Sequence, residues 1–186
     1  MSAKGGLQTQ PLPCSPMVKI FITGNAGSGK TTLAHRLGSD LKVPVHSLDE
    51  VVWRPGWRKT PADERDLAIA RLVANPRWVI EGVSPAVLAC ADMVIFLDVT
   101  RRRCIVRCAR RNWRYLFSSR PGLPDDCPEI KIIGRLLQII WRFPRRVRPG
   151  ILASIEERPG QAFIATTDQQ ADEVLELVLK RARSRP

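Results

Sequence analysis

The sequence predicts an α/β protein, a parallel sheet with helices on both faces. Two features carry that expectation. Short β-branched runs alternate with stretches of helical periodicity. The first run, Val18–Thr23, leads through Gly24-Asn25-Ala26-Gly27-Ser28-Gly29-Lys30-Thr31-Thr32 into an amphipathic segment with Leu33, Leu37 and Leu41 four residues apart. That is the strand–loop–helix order of a phosphate-binding loop.

The remaining elements follow in order. The first helix runs to about Lys42, and Val43–Ser47 is a short second strand ending at Leu48-Asp49-Glu50. Val51–Trp57 reads as a loop with two indoles either side of a Pro-Gly turn. Thr60-Pro61-Ala62-Asp63 reads as an N-cap, a first-turn proline and an acid at N3. The helix it opens turns Leu67, Ala70, Val73 and Ala74 to one side, and Asn75-Pro76 stops it. Trp78–Gly82 is a third strand ending in a carboxylate, Pro85–Cys90 a brief helix, and Met93–Asp98 a fourth, fully buried strand. In the helix from about Thr100 to Phe117, Arg103, Arg107, Arg110 and Arg114 share a stripe opposite Ile105, Cys108, Ala109 and Leu116. Ser118–Pro128 is a loop. Ile132, Ile133, Leu136, Leu137 and Ile140 mark a helix ended near Pro144. Gln161–Ala165 is a last strand, and Asp168 caps a final helix with Ala171, Val174, Leu175 and Val178 inward.

Composition narrows the class. At 186 residues, 44% apolar and 26% charged, the chain fits one domain with a substantial core. No apolar run approaches the ~20 residues of a membrane span, so no membrane role is expected. Residues 1–16 are rich in Gly, Gln, Ser and Pro and read as a disordered tail before a domain over 17–186, with Met17 a candidate start. The five cysteines are odd in number and form no C-x-x-C pair, which points to a reducing cytoplasm. A metal clip through Cys104, Cys108 and Cys127 would match no standard zinc spacing. The net charge of +12 is concentrated: between Thr100 and Arg148, thirteen Arg and one Lys stand against Asp125, Asp126 and Glu129. Such a cluster calls for an anionic partner, either ligand phosphates or nucleic acid.

The glycine-rich loop dictates the core chemistry. Its backbone N–H groups must turn inward around a polyphosphate, which requires glycines free to take φ > 0. The following helix adds unpaired N–H groups and the positive end of its dipole. Gly24 to Thr32 therefore form a nucleotide cradle, with Lys30 on the β- and γ-phosphates and the Thr31 hydroxyl a ligand of Mg²⁺. Asp49 stands at the carboxyl edge of the sheet, where ligands bind in open α/β folds. There it suits orienting an acceptor hydroxyl, acting as its general base, or capping its own loop. Trp53 and Trp57 are suited either to stack on an acceptor ring or to pack the loop onto the core. His35 is expected to face solvent and His46 to be structural.

These residues together resemble a P-loop kinase of the adenylate-kinase-like group and, more narrowly, the bacterial DNA topology modulation proteins. The resemblance rests on Gly24–Thr31, Leu48-Asp49 with Trp53-x-Pro55-Gly56-Trp57, Trp78–Gly82, Val94–Asp98, and Cys127-Pro128-Glu129 after an Arg-rich helix. It implies a three-layer α/β/α fold with a five-stranded parallel sheet, a small helical lid over about 112–147, and ATP binding. It also places Glu81 beside a water of Mg²⁺, where relatives usually carry Asp-Gly, and Gly82 with Asp49, Trp53 and Trp57 on the acceptor side. Arg107 and Arg110 become the phosphate-contacting arginines, with Arg111 next and Arg120, Arg145 and Arg146 able to swing in. The implied activity is ATP-dependent phosphoryl transfer of the nucleoside monophosphate kinase type to a nucleotide or other small acceptor. The alternative is a nucleotide-gated DNA-binding regulator, for which Arg145, Arg146 and Arg148 make a candidate contact patch. No DNA-reading motif accompanies them.

Overall fold

The first apolar run becomes the centre of the molecule. In the computed structural model, which describes residues 18–114 and 129–184, it forms β1 (Val18–Gly24). In chain order there follow α1 (Lys30–Leu41), β2 (Val45–Ser47), α2 (Leu48–Val52), β3 (Trp53–Arg54), β4 (Arg58–Lys59), α3 (Ala62–Ala74), β5 (Arg77–Glu81), α4 (Pro85–Cys90) and β6 (Met93–Leu97). The second half adds α5 (Arg101–Arg114), α6 (Ile133–Arg146), α7 (Arg148–Glu156), β7 (Ala162–Ala165) and α8 (Asp168–Arg183).

Five strands form a parallel sheet in the order β2-β5-β1-β6-β7. Alternate residues of β1 enter different cores, as the period of two requires. Ile20 and Ile22 pack with Leu33 and Leu37 of α1, with Cys104 and Cys108 of α5, and with Val174, Leu175 and Val178 of α8. Phe21 points the other way, against Trp78 and Ile80 of β5, Ile69 of α3 and Val87 of α4. The result is three layers, α/β/α. Fully burying each such side chain contributes about 1.5–3 kcal/mol. The active edge is the carboxyl end, where β1, β2 and β5 deliver the glycine loop, Ser47 and Glu81 side by side.

Several local expectations shift. Thr60 does not cap α3; Pro61 occupies that position and no side chain bonds the helix start. Its buried residue is Ile69, with Leu72 and Val73 packing beside it, while Leu67, Ala70 and Ala74 are exposed. On α5 Cys104, Cys108 and Asn112 are buried and Ile105 packs beside them as expected, while Ala109 is exposed. Thr167, not Asp168, caps α8, its hydroxyl accepting from the Gln170 N–H. The tryptophan loop closes as a two-stranded antiparallel hairpin, β3 with β4. Helix α6 runs through Pro144 to Arg146, and α7 follows at once. Arg148 at the start of α7 is pinned to the end of β6 by a two-pronged pair with Asp98. The 115–128 part of the expected lid, with Leu116, Arg120 and Cys127, lies outside the described residues, as does the tail through Met17. Among the described residues no helix is long and apolar enough to cross a membrane.

Candidate active site

The glycine loop is shaped from beneath. Gly27 has φ +78°, and a Cβ there would lie 2.5 Å from the Cys104 carbonyl oxygen and 2.7 Å from the Cys108 Sγ. The two buried cysteines of α5 are therefore the floor on which the loop rests. Burial pushes the Cys104 thiol up to about 11, with Cys108 adding to the rise and Lys30 and Arg107 opposing it. It is a packed neutral thiol. Among the described residues no group of three or more His, Cys, Asp or Glu is placed to hold a metal, and Cys127 falls outside them.

Lys30 donates from Nζ to the Asn25 carbonyl at 2.9 Å, folding its ammonium over the loop. The Asn25 side chain is buried and works in two directions: Oδ1 accepts from the Ala26 N–H at 2.8 Å, and Nδ2 donates to the Ile140 carbonyl at 3.0 Å. Ile140 O is the acceptor that residue 144 would serve in an unbroken helix. Because Pro144 has no N–H, the carbonyl is left open and the loop takes it.

Glu81 is buried and its Oε1 accepts from two hydroxyls, Thr31 Oγ1 at 3.1 Å and Ser47 Oγ at 2.7 Å. Ser47 also caps α2, accepting from the Asp49 N–H. One serine thus joins the carboxylate at the end of β5 to the start of the helix bearing Asp49. Arg107 donates through Nη1 to the Ser28 carbonyl at 3.1 Å and through Nη2 to both oxygens of Asp168 at 2.6 Å. It therefore stands at the loop's edge, tied to the start of α8. Arg110 lines the same cavity, as does Arg111, which bonds Asn112.

That cavity, of about 740 Å³, takes in Gly24, Ala26, Gly27, Gly29, Lys30, Thr31 and Thr32 at one end. Asp49, Trp53, Trp57 and Gly82 line the other, so it joins the loop to the expected acceptor side. Asn25 and Ser28 are buried just behind it. Trp53 and Trp57 meet edge-to-face with centroids 5.4 Å apart, and the Arg135 guanidinium lies 4.9 Å over the Trp53 ring. Sequence reasoning did not find Ser47, Asp168 or the α6 side chains Leu136, Ile139 and Phe143 that complete the wall. The α6 residues share the apolar periodicity of a core helix, so nothing local distinguishes them. His35 is exposed and His46 half-buried in β2.

No protein-family model matches the chain, and no curated protein matches it. Solved structures do. An uncharacterized protein from Eubacterium ventriosum is similar at 17% identity and TM-score 0.49, over 90% of this chain and 99% of that one. A shikimate kinase from Bacteroides thetaiotaomicron is similar at 18% and 0.48, over 89% and 98%. Shikimate kinase from Acinetobacter baumannii, in complex with shikimate, aligns over 90% of this chain and 96% of its own, at 17% identity and TM-score 0.52. The fold is that of a P-loop kinase.

The residues present fit a magnesium-bound triphosphate. The Ser28 hydroxyl is buried within the glycine loop with no hydrogen-bond partner among the described residues. The Thr31 hydroxyl and Glu81 carboxylate are hard oxygen donors of the kind Mg²⁺ takes, held together by a 3.1 Å hydrogen bond.

Proposed function

We propose that this chain is an ATP-dependent phosphotransferase acting on a small acceptor, either a nucleotide or another small molecule such as one bearing a hydroxyl. The observation that supports it best is the Thr31 Oγ1–Glu81 Oε1 contact at 3.1 Å, in one cavity with Lys30 and Asp49. Backbone amides of Gly24–Thr32 and the Lys30 ammonium bind and orient the triphosphate. Thr31, with Glu81 behind it, would hold Mg²⁺, which would supply positive charge to the phosphates of the bound nucleotide. With an alcohol as acceptor, Asp49 accepts the hydroxyl proton as the alcohol oxygen bonds to the γ-phosphorus; the bond from that phosphorus to the β-bridging oxygen breaks, and ADP leaves. Arg107 and Arg110 face the charge on the transferring group. A cytoplasmic location, and kinship with the DNA topology modulation proteins through the Trp53–Trp57 hairpin, belong to the same proposal.

The test is ADP release with and without acceptors. Acceptor-dependent release above slow hydrolysis supports the reading; release indifferent to every acceptor contradicts it. A second reading, a nucleotide-gated DNA-binding protein, is favoured by the exposure of Arg102, Arg103, Arg142, Arg145 and Arg146. It requires duplex affinity that falls log-linearly between about 50 and 200 mM salt, and no retention at low salt removes it.

A further inference from the structure

Resting on the kinase reading, we infer that the acceptor is an alcohol carried on an apolar ring rather than a polyol or a nucleoside monophosphate. Beyond the loop, Val52, Trp53, Trp57, Leu136 and Phe143 wall the cavity. Val83 and Ile139 also line it, yet they are 47% and 42% exposed. Among the described residues much of their apolar surface is left uncovered, and a ligand body in the cavity would remove part of it from water.

Most polar side chains of the cavity already have a role: in the kinase reading Arg110 faces the transferring phosphoryl group and Asp49 the one acceptor hydroxyl. Outside the glycine loop, the described ones lining the cavity are Asp49, Glu81, Arg107, Arg110, Arg111 and the indole N–H groups of Trp53 and Trp57. Glu81 is taken by Thr31 and Ser47, Arg107 by Asp168 and the Ser28 carbonyl, and Arg111 by Asn112. Among these described lining residues there is no Asn, Gln, Ser, Tyr or His to read a base edge or a ring of hydroxyls. A site built to read several hydroxyls needs several polar side chains beyond those already bonded to protein, because unpaired polar groups are what reject the wrong ligand. An apolar site instead accepts ring alcohols broadly, discriminating weakly between them. The hairpin adds a strained residue at this wall: Trp57, not a glycine, holds φ +58°, in the left-handed region. Such strain gathers where a ligand is gripped. Asp49, at the apolar end, meets the one hydroxyl such a ligand must offer.

The test supplies γ-labelled ATP and Mg²⁺ with three ring alcohols (indole-3-ethanol, 2-phenylethanol, cyclohexylmethanol) and with shikimate, myo-inositol and AMP. Label transferred to the ring alcohols with kcat/KM at least about tenfold above the other three is the expected result. Ile139→Asp and Val83→Asp lower that kcat/KM, while Leu177→Asp, exposed on α8 and outside the cavity, does not. Thermal unfolding with ATP is measured alongside. An ATP-induced rise in Tm with label on shikimate, inositol or AMP in preference, or on none of the six, overturns the acceptor class and leaves nucleotide binding standing. No rise in Tm overturns the kinase reading beneath it as well.

Discussion

The Asn25 amide donates at 3.0 Å to the Ile140 carbonyl, the one backbone acceptor in α6 that Pro144 leaves without its helical N–H. A proline inside a helix ordinarily costs ~3 kcal/mol or more, because it deletes a bond and crowds the preceding turn. Here the deleted bond is replaced from the nucleotide loop, so the loop and the acceptor wall share a hydrogen bond.

Asn25→Ala is expected to destabilise the fold by about 1–3 kcal/mol, the cost of leaving a buried carbonyl unsatisfied. Pro144→Ala returns an N–H to that carbonyl. The two substitutions are therefore expected to be non-additive, with coupling of roughly 0.5–3 kcal/mol in a double-mutant cycle read by denaturant unfolding. Strict additivity would separate the two residues.

Glu81→Gln keeps the shape of the side chain and removes its charge. The expected effect is a roughly 10–100-fold loss in apparent Mg²⁺ affinity, as for other residues that orient a metal ligand. Magnesium titration of ATP turnover measures it. Unchanged magnesium dependence would make Glu81 a mere anchor for the Thr31 and Ser47 hydroxyls.

Gly27→Ala must place a Cβ against the Cys104 carbonyl at φ +78°. Strain of about 1–3 kcal/mol follows from the left-handed backbone, before the collision is counted. Adding Cys108→Ala relieves the sulfur contact only, so partial recovery is expected from chemical denaturation of the pair.

Cys104 gives a pH signature. Folded, its thiol ionises near 11; unfolded, near 9.0. The unfolded chain releases this proton first, so the stability tied to the neutral thiol is complete below about pH 9 and is lost as pH rises toward 11. Cys104→Ala is expected to flatten the alkaline limb of the stability–pH curve, and in the native protein at pH 8 exposed Cys90 is expected to be alkylated while buried Cys104 resists until the chain unfolds, as read by peptide mapping.

Much of this is legible along the chain because it is local. The loop of Gly24–Thr31 states its chemistry in consecutive residues, and the five strands announce themselves by β-branched runs. What is hidden is contact between distant segments. Pro144 reads as a helix stop because the residue that rescues its helix is Asn25, 119 positions away in sequence and visible only once α6 lies on the loop. Ser47 is an ordinary strand-end serine until β2 places it beside Glu81 through β5. Leu67 competes with Ile69 for the inward face of α3, and the neighbouring Val87 and Trp78, not the periodicity, decide for Ile69. The stripe on α5 marks Arg107 for phosphate, but its present partner Asp168 belongs to α8 and carries no motif.

The most direct measurement is isothermal calorimetry of ATP with Mg²⁺ on the full chain and on Lys30→Ala. Lys30 bonds only a loop carbonyl in the described structure, so its loss is expected to spare the fold and abolish the binding heat. Saturable heat with the natural chain and none with the folded variant is the predicted result. No heat from the natural chain with any purine triphosphate would contradict the account.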